Sequence, residues 1–144
     1  MLAKGHAKDN PSIFQDLQYL NKRLFQAIKL HKLIKNNDYV IFDRWSLSAY
    51  VYGRASGIDN QTCLAHFNGL REPTATIILD GDKLQRGEDD VYEADSAMQT
   101  RVKTIYKEWA KNHTFTCRLI DGNGMRGEVH ERIVNELREM EVIQ

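Results

Sequence analysis

The chain has 144 residues, 42% hydrophobic and 28% charged, enough for one globular domain with one sizeable core. Twenty basic side chains balance twenty acidic ones, which argues against a chain whose main work is to hold nucleic-acid backbone. No apolar run approaches the ~20 residues of a membrane span, and the polar stretch Met1–Asn10 has no apolar core of a secretory signal.

The first periodic segment runs from about Pro11 to Asn36. Ile13, Leu17, Leu20, Leu24 and Ile28 recur at helical spacing, continued by Leu33 and Ile34, and predict the buried face of a long helix. Asn10 or Ser12 suits its start, Pro11 its first turn, and Asn36–Asn37 a left-handed stop. Tyr39–Phe42 is unbroken and apolar, and predicts a strand buried on both faces, ending at Asp43-Arg44. Trp45–Asp59 reads as a loop leading into helical turns, and Gln61–Leu70 as a weak helix. Ala75–Leu79 predicts a second buried strand, ending at Asp80, with Pro73 tolerated just before it. Lys83–Tyr92 is a charged, mobile stretch. A helix follows from about Glu93 to Asn112, then a third strand, Phe115–Ile120, ending at Asp121. Asn123-Gly124 is a turn signal, and a last helix runs from about Gly127 to Met140.

The order α-β-α-β-α-β-α predicts an α/β fold: a three-layer α/β/α arrangement with a parallel sheet and right-handed crossovers. Ligands in such sheets sit beyond the carboxyl ends of the strands, where Asp43, Asp80 and Asp121 fall. Cys63 and Cys117 lie far apart with no metal-ligand spacing around them. They read as reduced, partly buried thiols in a cytoplasmic protein. The five histidines form no ligand set.

An apolar strand ending in Asp-Arg is chemically suggestive. The carboxylate suits Mg²⁺ beside nucleotide phosphates, and the guanidinium suits bidentate phosphate contact. Taken alone, the same pair serves equally as a strand-end ion pair. Four stretches add context. Tyr19-Leu-Asn-Lys-Arg23 places an aromatic and an arginine at i and i+4 on one helix face. Val40-Ile-Phe-Asp43-Arg44-Trp45-Ser46-Leu47-Ser48-Ala49-Tyr50-Val51-Tyr52-Gly53 carries the Asp-Arg element. Arg86-Gly-Glu-Asp-Asp-Val-Tyr-Glu93 is followed by Arg101-Val-Lys-Thr-Ile-Tyr106. Leu119-Ile-Asp121 precedes Val129-His-Glu-Arg-Ile133.

In order and spacing, over roughly residues 17 to 138, these stretches resemble the thymidylate kinase family of nucleoside monophosphate kinases. The resemblance implies a P-loop kinase-like fold, single over 1–144, with a lid at 83–93. It implies that Tyr19 stacks on the thymine ring, Arg23 bonds the base edge, and Arg44 binds the acceptor monophosphate. It further implies that Asp43 places Mg²⁺, directly or through water, that Ser48 and Tyr52 flank the nucleoside, and that Arg86 meets transition-state charge. ATP would be the donor and dTMP the acceptor. Each residue also has a plainer reading: Tyr19 as a packed ring, Arg23 as a snorkelling side chain, Tyr52 as loop packing, and 83–93 as a solvated charge run.

The sequence departs from the family where donor phosphates are held. No GxxxxGK[ST] occurs in these 144 residues, and Ala3–Lys8 lacks its glycine spacing. Arg71-Glu72-Pro73 has the letters of a family phosphate contact but precedes the Ile77 strand. Val91 stands where many members carry arginine, and Gly53 where they often have Gln or Thr. In the family fold the P-loop strand lies between the strands corresponding to Val40–Phe42 and Ile77–Leu79. Its absence leaves three repairs: direct pairing of those two strands, a strand from a partner, or a longer reading frame. The expectation is thymidylate-kinase-like transfer of the ATP γ-phosphoryl group to dTMP, or its acceptor-binding portion, with little activity from this chain alone. The alternatives are an inactive nucleotide-binding or dimerisation partner of an intact kinase, and a deoxynucleoside kinase-like protein. Family members are typically homodimers, so a homodimer or a heterodimer with an intact kinase is implied; nucleic acid and membrane are not.

Overall fold

The computed structural model describes residues 10–82 and 96–144, which form a mixed α/β protein with two compact units, 1–72 and 73–144. The expected lid at 83–93 and Arg86 lie outside the described residues.

In the first unit, α1 (Pro11–Phe25) continues through a π-helical turn, Gln26–Leu30, into α2 (His31–Asn36). Pro11 occupies the first turn as expected, but Asn10 makes no side-chain cap bond. Asn37 ends the run in an extended conformation rather than a left-handed one, and its Nδ2 donates to the Leu33 carbonyl at 2.8 Å. α3 (Ser46–Ala55) and α4 (Asn60–Asn68) follow. Asp59 caps α4, accepting from the Thr62 backbone at 2.9 Å and the Thr62 hydroxyl at 2.7 Å. Those two bonds hold the Asp59 carboxyl below its ordinary range.

The buried face of the first helix is not the one its periodicity predicts. Ile13, Leu17, Leu20, Leu24 and Ile28 are all exposed, Ile28 by 70%, while Ile34 alone of the predicted set is half-buried. What turns inward is Gln15, Tyr19, Phe25, Leu30 and Ile34. The physical reason is the partner. Leu30 packs with Trp45 and Leu70, and Tyr19, Phe25 and Phe42 close around them. Phe42 stacks on Trp45 at 4.7 Å, and Phe25 meets both rings edge-on.

Tyr39–Phe42 joins no ladder among the described residues, which corrects the expected first strand. Its side chains alternate instead of being buried on both faces: Val40 and Phe42 are half-buried, Tyr39 is exposed, and Ile41 is 93% exposed. Apolar content permits a strand, but only a hydrogen-bonded neighbour makes one. α3 is the buried helix of this unit, with Val51 fully inaccessible. Gly53 explains how it approaches α4, because a Cβ there would sit 2.8 Å from Cys63 Sγ.

In the second unit, β1 (Thr76–Asp80) and β2 (Cys117–Asp121) pair in parallel, register Ile78 to Leu119 and Asp80 to Asp121. These are the second and third expected strands. α5 (Ser96–Asn112) buries Met98, Val102 and Ala110, and α6 (Arg126–Glu139) keeps Val129, Ile133, Val134 and Leu137 half-buried. The two-stranded sheet supports the α/β class. Its β1–β2 pairing runs through a crossover that includes α5, as a parallel pair requires. No helix among the described residues is long and apolar enough to cross a membrane.

Candidate functional site

Six of the predicted site residues, Tyr19, Arg23, Asp43, Arg44, Ser48 and Tyr52, lie in the first unit. α1 supplies Tyr19 and Arg23 one turn apart. Both reach the end of α4: Arg23 donates to the Gly69 carbonyl, and the Tyr19 hydroxyl lies where a Gly69 side chain would be. The Tyr19 ring stacks on His66 at 4.4 Å and 12°. His66 Nε2 is 3.3 Å from Asp16 Oδ1, so Asp16, Tyr19 and Arg23 all meet the 66–69 segment. The pair that the resemblance assigns to the base is thus brought together, on a histidine ring and a backbone carbonyl. The Tyr19 ring has a flat face of the kind a nucleobase would use, and His66 covers it in this structure.

The second half of the site precedes α3. Arg44 has φ of 63°, in the left-handed region that costs a non-glycine residue about 1 kcal/mol. Its guanidinium lies 5.3 Å from the centroid of Tyr52, on the second turn of α3, within cation–π reach. Asp43 is exposed, and Ser48 is buried at 9% exposure. Ser46, at the first position of α3, has an inaccessible hydroxyl with no hydrogen-bond partner among the described residues.

Lys22 links the halves, and sequence reading missed it. It lies between Tyr19 and Arg23, and its Nζ donates to the Trp45 carbonyl at 3.0 Å, next to Arg44. Burial lowers the Lys22 pKa, and the Arg44 charge lowers it further. Two cations held close together, one desolvated, favour an anion between or beside them. The available signal was its place inside Tyr19–Arg23. His66 was also missed, since a lone histidine on a weak helix carries no spacing signal.

The aspartates that end the two strands are already engaged. Asp80 pairs with Lys103 at 2.9 Å and Lys107 at 3.0 Å, both from α5. Asp121 Oδ1 accepts from the Asn123 backbone at 2.9 Å, closing its own turn. No cluster of three or more metal-ligating side chains occurs among the described residues. Asp43 alone fits Mg²⁺ only in the manner of a single carboxylate acting together with substrate phosphates.

No known family, curated protein or solved structure matches this chain.

Proposed function

We propose that the 11–72 segment is an acceptor site for a nucleoside monophosphate, of the thymidylate-kinase-like kind, within a three-layer P-loop kinase-like architecture. The observation that carries this reading is Arg44: a cation in a strained backbone conformation, over Tyr52 and beside the desolvated Lys22, immediately before a buried helix. Strain of this kind persists where a side chain must be aimed. Arg44 and Lys22 take the phosphate, aided by the N–H groups opening α3. Tyr19 and Arg23 exchange His66 and the Gly69 carbonyl for the base. Asp43 would hold Mg²⁺, directly or through water, and the ion would supply charge neutralisation at the transferring phosphoryl group. In the complete reaction ATP gives its γ-phosphoryl group to the dTMP phosphate, yielding ADP and dTDP. That chemistry is positioning and electrostatics, with no covalent enzyme intermediate.

A catalytically inactive, pairing subunit is the second reading. The exposed apolar stripe of α1 favours it, because Ile13, Leu17, Leu20, Leu24 and Ile28 line one side of a helix that their own unit leaves uncovered. Calorimetric titration of the full chain with dTMP, thymidine and ATP separates the readings. The acceptor-site reading expects dTMP to bind, thymidine to bind at least about tenfold more weakly, and Arg44→Gly to remove that difference. Equal binding of dTMP and thymidine, or none of either, refutes it. These 144 residues as a purified chain are expected to turn over dTMP poorly; ordinary kinase rates would overturn that expectation.

A further inference from the structure

The second unit has a groove that the acceptor-site reading does not use. It is a shallow, open groove of about 520 Å³ between the end of α5 and the start of β2, so a ligand there would keep one face in solvent. Its apolar part is Ala110, Phe115 and Leu119, and its charged part is Lys107, Lys111 and Arg118. Among the described residues no carboxylate lines it.

The three cations are not equivalent. Lys107 is held by Asp80 at 3.0 Å, and Arg118 is 3.4 Å from Glu136 while also donating to the Thr114 carbonyl. Lys111 has no ion pair or hydrogen bond among the described residues. It is also not needed to close the helix. The Ala110 carbonyl accepts from His113 N–H, and the Trp109 carbonyl lies 2.9 Å from His113 Nδ1. Phe115 is 92% exposed, an unusual place for a phenyl ring beside a cationic rim. The floor is neutral, because burial pushes the Cys117 thiol up to about 11.

We propose that this groove binds a small planar aromatic monoanion, its ring against Phe115 and Leu119 and its negative charge at Lys111. One unengaged cation matches one negative charge. An apolar wall without carboxylates admits a ring and repels no anion. An aromatic carboxylate is the simplest member of the class.

The test is a ligand-observed NMR titration of the full chain with 2-naphthoate. Methyl 2-naphthoate is the uncharged control, and circular dichroism confirms folding of each variant. The acid should bind more tightly than the ester. Lys111→Gln and Phe115→Ser should each weaken it about fivefold, and Lys111→Arg should retain it. Arg44→Gly should leave it unchanged, so the outcome is independent of the acceptor-site titration. Absence of binding, equal binding of acid and ester, or indifference to both Lys111→Gln and Phe115→Ser overturns the proposal.

Discussion

Arg44 carries two opposing demands. Its left-handed φ disfavours any side chain, and its guanidinium is placed over Tyr52. Comparing Arg44→Gly with Arg44→Ala removes the side chain in both and isolates the backbone. The glycine variant should be more stable than the alanine variant by about 1 kcal/mol in urea unfolding, and both should lose phosphate discrimination. Equal stability would show that the backbone is not strained there. Asp80 poses a different question. Hydrogen bonding by Lys103 holds its carboxyl below the ordinary range, with Lys107 adding to the shift. A depressed carboxylate stabilises the fold above its unfolded pKa of about 4, and that contribution is lost as pH falls through the lower folded value. Asp80→Asn should cost about 0.5–1 kcal/mol at pH 7, less at high salt, and nothing once pH is well below both values. Urea midpoints across pH 2 to 7 check it. The sequence placed Asp80 at a strand end correctly. It did not show that α5 returns two lysines to it, because that pairing depends on a crossover more than 20 residues long.

Helical periodicity found α1, yet named the wrong face. Spacing of Ile13, Leu17, Leu20, Leu24 and Ile28 identifies a stripe that needs cover; it does not say what covers it. Within the first unit the aromatic rings of Phe42 and Trp45 claim the opposite side, and the π-helical turn brings Leu30 under them. An uncovered stripe of five aliphatic side chains favours association with a second surface. Leu17→Glu with Leu24→Glu should abolish concentration-dependent self-association in sedimentation velocity without unfolding the chain. A wild-type chain that stays monomeric at high concentration would refute self-pairing through this stripe. The α3–α4 contact was legible only in part. Gly53 looked like a departure from a family pattern, and the structure gives its reason: Cys63 Sγ occupies the space of a side chain. Gly53→Ala should destabilise by about 1–3 kcal/mol, and Cys63→Ala should recover part of that loss in a double-mutant cycle. Additive effects would show the two positions are independent.

Each compact unit contains one buried thiol, Cys63 in the first and Cys117 in the second. Burial raises both pKa values, that of Cys117 to about 11, so little thiolate is present in the native state at pH 8. Labelling with a thiol reagent at pH 8 should therefore be far slower than in urea. In graded urea each cysteine should report the opening of its own unit. Fast native labelling of either would contradict its placement. What the sequence determined by itself was local: helices wherever apolar residues recur at 3.6, the two strands ending at Asp80 and Asp121, and the chemical character of Tyr19–Arg23 and Asp43-Arg44. Tertiary structure decided the rest. It left Tyr39–Phe42 without a ladder, turned α1 away from its own apolar stripe, and brought Lys22 to the Trp45 carbonyl and His66 onto Tyr19. The reason is that period and composition act within a few residues, whereas a ladder, a buried face or a two-cation site exists only once a distant segment supplies the other half.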